Sequence, residues 1–246
     1  MYCRVAVSSL FVGVLFLSRV TLASDIPTSQ GTGQDGFVYS GAPIAVSSFY
    51  PVIAVGKTVG AAHDTEALVQ FDLSTFGLTA AQVTSATLKL WVSDIATTGF
   101  GLNPDASNPL QVDLYPATSA WSRSTLQWSN KPATGSQISS VTVNSIGHLI
   151  SFDVTSQVQG WLTNPASNFG LLLSADAVVG ASGSYHYVAF SSGLGSQSGN
   201  APYLTVVPEP ASVVLAAGLL PAAAIVYRRR RARPGPPLHE RQTEAP

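Results

Sequence analysis

Ser85-Ala86-Thr87-Leu88-Lys89-Leu90-Trp91-Val92 is the stretch that decides how this chain folds. Ala86, Leu88, Leu90 and Val92 are apolar, and Thr87, Lys89 and Trp91 stand between them. A strand turns successive side chains to opposite faces, so this period of two sends the first set to a core and the second set away from it. The same period recurs outward from there. Upstream, Ala67, Val69 and Phe71 alternate with Leu68, Gln70 and Asp72. Downstream, Val112 and Leu114 alternate with Gln111, Asp113 and Tyr115. Ile150, Phe152 and Val154 alternate with Leu149, Ser151 and Asp153, and Tyr203-Leu204-Thr205-Val206 reads as a closing strand. Gly, Pro, Asn and Ser collect between these runs, as at 99–109 and 193–202, and only 156–162 reads as a short helix. Many short alternating strands joined by turn-rich loops predict an all-β domain, an antiparallel β-sandwich or jelly roll. Its expected span is 34–207, after a linker at 24–33.

Composition limits what such a domain can bind. The net charge of -1 hides an asymmetry: between Ser24 and Val207 four Lys and Arg face ten Asp and Glu, which leaves -6. Neutralising phosphates takes Lys and Arg, so this middle section is not a nucleic-acid binder. The one cysteine, Cys3, stands near the start of the chain. Cleavage downstream of it would leave a mature protein without disulfides, thiolate chemistry or cysteine metal sites.

Both ends carry apolar runs. Arg4 precedes an apolar stretch at 5–17, and Thr21-Leu22-Ala23 is a small-x-small cleavage pattern. This is the layout of a signal peptide passed to the Sec translocon, with cleavage expected between Ala23 and Ser24. At the other end, Pro208-Glu209-Pro210 is followed by an apolar run to Tyr227 and then by Arg228-Arg229-Arg230-Arg231. As a helix, 211–227 would be about 26 Å long, close to the hydrocarbon thickness of a bilayer. The arginine block stops transfer and belongs on the cytoplasmic side, which puts the β domain outside the inner membrane. Pro208 and Pro210 favour an extended, protease-accessible segment before that span. Residues 234–246, with Pro234, Pro236 and Pro237, read as a disordered cytoplasmic tail.

The order of Pro-Glu-Pro, apolar run and arginines resembles the PEP-CTERM sorting signal. That resemblance covers 208–233 and implies a Gram-negative bacterium in which exosortase recognises Pro208, Glu209 and Pro210. The precursor would be tethered to the inner membrane before reaching the cell surface or the medium.

The middle domain is similar to the DNRLRE-type, carbohydrate-binding-module-like group. The segment 66–92 resembles that group's opening. Trp121-Ser122-Arg123-Ser124-Thr125-Leu126-Gln127-Trp128-Ser129-Asn130-Lys131-Pro132 resembles its Trp-x-x-x-Thr-x-x-Trp-x-Asn-x-Pro element. Phe152-Asp153-Val154-Thr155, Trp161, Gly170-Leu171-Leu172-Leu173 and Ala201-Pro202-Tyr203-Leu204 follow its later strands and helix. One departure stands out. Where the group has Ser-Arg-Glu before the last strand, this chain has Ser191-Ser192-Gly193, so another contact must replace the missing charged pair.

No catalytic constellation emerges. Glycosidase chemistry needs two carboxylates across a cleft, and nothing pairs any two of the acids here. Asp72 and Asp153 stand at strand ends, where hydrogen bonding to turns is their expected use. There is no Gly-x-Ser-x-Gly, and His63, His148, His186 and His239 share no metal-ligand spacing. The protein is therefore not expected to be an enzyme or to need a cofactor. A structural Ca²⁺ is compatible with the plentiful oxygen ligands, but no ligand set can be named.

Sugar binding fits better. Aromatic rings on an outward sheet face stack on pyranose rings, while amides and carboxylates satisfy the hydroxyls. Trp91, and Tyr185 with Tyr187 on one strand face, are the candidates, with Tyr39, Tyr50 and Tyr115 behind them. Where both faces of a strand are covered, the same rings become core. Trp121 and Trp128, flanking a tight Asn-x-Pro turn, are expected in the core. The reading is an exported surface or matrix protein with a non-catalytic, polysaccharide-binding domain whose partner is the exopolysaccharide. The alternatives are a structural surface or biofilm protein without a specific ligand and, behind both, a polysaccharide-degrading enzyme.

Overall fold

Strand β5 (Val83–Ser93) carries the quoted stretch, and Ala86, Leu88, Leu90 and Val92 are fully buried along it. The computed structural model describes residues 23–41, 51–58, 64–94, 103–175, 185–193 and 200–209. The expected signal peptide up to Leu22, and the expected membrane helix and tail from Pro210 onward, lie outside the described residues. The other elements are β1 (Ser24–Pro27), β2 (Gln34–Tyr39), β3 (Val52–Thr58), β4 (Thr65–Gln70), β6 (Leu110–Pro116), β7 (Ser139–Val143), β8 (Leu149–Asp153), α1 (Thr155–Thr163), β9 (Leu171–Ala175), β10 (Tyr185–Ser191) and β11 (Tyr203–Pro208).

Every strand pairing described is antiparallel. One layer runs β1-β11-β5-β8, and the other runs β10-β3-β4-β9-β6-β7 with β2 also on β4. The end of β5 joins the layers through Ala189 opposite Ser93 and Phe190 opposite Val92. Between them lies one apolar core. Leu88, Leu90, Ile150, Phe152, Leu204 and Val206 enter it from the first layer; Phe37, Ile53, Val69, Leu114, Leu173 and Phe190 enter from the second. The expected all-β sandwich is the observed one. No helix among the described residues is long and apolar enough to cross a membrane.

Helix α1 starts where Asp153 turns the chain. The Asp153 carboxylate accepts hydrogen bonds from the Thr155 hydroxyl at 2.6 Å and the Thr155 backbone N–H at 2.9 Å. An anion beside a helix N-terminus is favourable. Val158 and Trp161, three residues apart and so on one helix face, are both buried in the core.

Two boundary expectations change. The stretch 24–33, expected as a linker, opens with β1, which pairs along β11 from Ser24 opposite Val206 to Pro27 opposite Tyr203. The compact unit accordingly spans Leu22–Pro208. Pro208, expected in an extended segment open to proteases, is buried as the last residue of β11, opposite Val83 across a register shift. Proline is tolerated there because the ladder is already irregular.

Trp121 and Trp128 are not in the main core either. They are half-buried on the outer side of the second layer, over a separate apolar cluster of Val38, Leu68, Leu126 and Leu172. The alternation of β4 explains this: Ala67 and Val69 point inward, so Leu68 points outward and needs its own cover. Segment 120–135 supplies it. The Trp121 indole donates to the Phe169 carbonyl at 2.9 Å, and the Asn130 amide closes the loop on the Thr125 carbonyl at 2.8 Å.

Candidate functional site

The outer side of the first layer is a sheet face assembled from β1, β11, β5 and β8. Register fixes its rows. Trp91 lies opposite Leu149, and Lys89 has Ser151 on one side and Tyr203 on the other. Thr87 has Asp153 on one side and Thr205 on the other, and Asp25 follows Thr205. Trp91, Lys89 and Tyr203 are half-buried, Ser151 and Asp153 are exposed, and Leu149 is 41% exposed. The Lys89 ammonium stands 5.7 Å from the centre of the Tyr203 ring, a cation–π contact. The Thr205 hydroxyl donates to Asp25 at 2.6 Å. Two aromatic rings, one cation and a band of hydroxyls and carboxylates therefore share a single face.

Of the three aromatics expected to bind sugar, Trp91 alone is described on this face. Tyr187 is buried, 2% exposed, in a small cluster with Val52 and Ala189. Its ring lies against Gly56 of the neighbouring strand, where a Cβ atom would stand 2.0 Å from Cδ1. Tyr187 leaves the main core as alternation demands, but it enters a second apolar layer and cannot offer a ring to solvent. Tyr185 stands opposite Thr58, and its side chain lies outside what the structure describes. Tyr50 and His63 also lie outside the described residues, and Tyr39 is half-buried against the core. Tyr203, absent from the expected set, joins Trp91. Its signal was available: it alternates with Leu204 in the closing strand just as Trp91 alternates with Leu90.

The second layer carries a groove of about 590 Å³ on its outer side. Tyr115, Leu172 and Trp128 line it, with Glu66, Lys131 and Ser174. Lys131 ion-pairs with Glu66, and its ammonium stands 4.4 Å from the centre of the Trp128 ring.

The acids at strand ends serve the backbone. Asp72 accepts from the Thr32 and Ser74 N–H groups at 2.9 Å each. Hydrogen bonds from Ser74 and then Thr32 pull its pKa down to about 2. The Thr155 hydroxyl holds the Asp153 carboxyl below the usual carboxylate range. Among the described residues no three His, Cys, Asp or Glu side chains stand close enough to hold a metal ion.

An aromatic face flanked by hydroxyls and carboxylates is the chemistry of sugar recognition, and residues 51–207, more than half of the chain, match carbohydrate-binding module family 96. The chain belongs to this family. Trp91, Lys89, Tyr203 and the whole lining of the groove fall inside the family 96 match, while β1 and β2 precede it. No curated protein matches the chain.

Proposed function

We propose that this family 96 protein is an exported surface or matrix protein that binds polysaccharide without cleaving it, through the face holding Trp91 and Tyr203. The observation that carries the reading is that pair of rings with Lys89 beside them, on a sheet side where 41% of Leu149 remains open. Flat rings stack on the apolar side of a pyranose, and Lys89, Ser151 and Thr205 supply hydrogen bonds to its hydroxyls. A domain section with four bases against ten acids favours a neutral or weakly charged chain, and the cell's own exopolysaccharide is the proposed partner.

Export rests on the sequence ends: Sec passage, cleavage between Ala23 and Ser24, and a tether at 211–227 stopped by Arg228 to Arg231. The tail is proposed as a PEP-CTERM signal handled by exosortase, and the domain as DNRLRE-type. Because β11 ends at Pro208, two residues separate the sheet from the apolar run.

The test is binding of the purified protein to a glycan panel that includes the native matrix. Trp91→Ala and Tyr203→Ala should each weaken binding about tenfold, the loss of one stacking contact. Retention on no glycan at all, or binding indifferent to both substitutions, would remove this face from the account.

A further inference from the structure

We propose that the end of β11 is a latch: it buries the first residue of the Pro208-Glu209-Pro210 motif, so that the sorting enzyme acts only while Val207 and Pro208 are lifted off β5. The latch rests on the exosortase reading above, but it is built from residues of the β domain and adds a control that the tail alone does not have.

Strand β11 is held unevenly along its length. Tyr203 to Val206 are paired on both sides, with Pro27 to Ser24 of β1 and with Lys89 to Ala86 of β5. Val207 and Pro208 run past the end of β1 and keep only β5, opposite Ser85 and Val83, with the register shifting between them. Proline has no N–H, so the last residue of the strand donates nothing to the ladder. Two contacts close this end. The Thr84 hydroxyl donates to the Val207 carbonyl at 2.9 Å, and Pro208 is buried opposite Val83, a member of the main core. One side-chain hydrogen bond and one small apolar residue fasten less than the four doubly paired residues before them. The strand end therefore opens locally while the sandwich stays folded.

An enzyme that reads a peptide segment takes it extended, with its backbone free of other pairing. Docked on β5, Pro208 is neither free nor exposed. Where opening and reclosing are fast, cutting follows the population of the open form. The fastening of Val207 and Pro208 thus sets the processing rate. Because β11 is the last strand of the domain and pairs with the first, it docks fully only on a completed sheet. The motif is bare on an unfinished domain and half-covered on a finished one.

Two variants followed by pulse-labelling in the native host, with product size as the readout, test this. Thr84→Val removes the hydroxyl at an exposed position. Ser85→Cys with Val207→Cys places thiols on direct cross-strand partners, so that a disulfide staples the strand end shut. The chain from Ser24 onward has no other cysteine. Thr84→Val should be processed about fivefold faster, the factor that one hydrogen bond is worth. The oxidised staple, its bond verified by mass, should hold the precursor at its larger size until a reductant releases it, and each single cysteine variant should be processed like the unaltered protein. Cutting of the stapled form at the unaltered rate, or a Thr84→Val rate no higher than that of the unaltered protein, overturns the latch and leaves the sorting reading standing. An unaltered precursor that is never shortened removes the sorting reading, and the latch with it.

Discussion

Asp35 and Arg123, 88 residues apart in the chain, meet at 3.2 Å with the Asp35 side chain 1% exposed and the Arg123 side chain 16% exposed. Asp35 collects three more donors: the Thr28 hydroxyl at 2.7 Å, the Ser192 hydroxyl at 2.6 Å and the Gly193 N–H at 2.7 Å. One carboxylate thus ties the segment after β1, strand β2, the Trp-containing loop and the end of β10. This answers the missing Ser-Arg-Glu. Ser192 and Gly193 bond to an acid from β2 whose basic partner comes from the Trp loop, and Ser191 pairs with the Ser93 hydroxyl at 2.7 Å. Burial lowers the Arg123 pKa while Asp35 opposes the shift, and the guanidinium stays charged.

Asp35→Ala should therefore destabilise the domain by about 3–5 kcal/mol, because it takes the counter-charge from a partly buried guanidinium and removes the acceptor that three donors share. Arg123→Ala should cost less, since Thr28, Ser192 and Gly193 still satisfy the carboxylate. Urea unfolding of both variants checks the order, and a larger loss for Arg123→Ala contradicts it.

Trp91 and Tyr187 should separate cleanly. Trp91→Ala should change stability by less than about 1 kcal/mol while weakening glycan binding. Tyr187→Ala empties a buried site and should cost about 3 kcal/mol or more. Thermal unfolding beside a binding assay distinguishes them.

Gly56→Ala should destabilise by about 1–3 kcal/mol, because its Cβ would meet the Tyr187 ring at 2.0 Å and the His186 carbonyl at 2.4 Å. A Tm equal to that of the unaltered protein would mean that the ring does not lie on this glycine.

Asp72 gives the fold a pH signature. Its pKa is lowered from 3.8 to about 2 in the folded state, so the folded form holds its charge more tightly than the unfolded chain does. The stability it contributes is fully present above about pH 4 and disappears as pH falls through about 2. Urea midpoints measured between pH 5 and pH 2 should drop more for the unaltered protein than for Asp72→Asn.

The tail has its own signature. Glu209→Ala with Pro210→Ala should leave a larger, membrane-retained species in the native host, while the Tm of the β domain is unchanged because both residues follow β11. Unchanged size and location would argue against processing at this motif.

By itself the sequence determined the core. Ala86, Leu88, Leu90 and Val92, or Ile150 and Phe152, were legible because a strand's side-chain period is a local property of the backbone. It also placed the turn of Asp153 into α1, whose contacts span two residues. Only the tertiary structure decided what lies over the outward residues. Trp91 and Tyr187 give the same alternating signal, yet one sits on an open sheet face and the other is packed on Gly56. Trp121 and Trp128 cap Leu68 from more than fifty residues away along the chain. Alternation reports which side a residue leaves, whereas cover depends on which distant segment folds across that side. That is a long-range contact, and no local pattern encodes it.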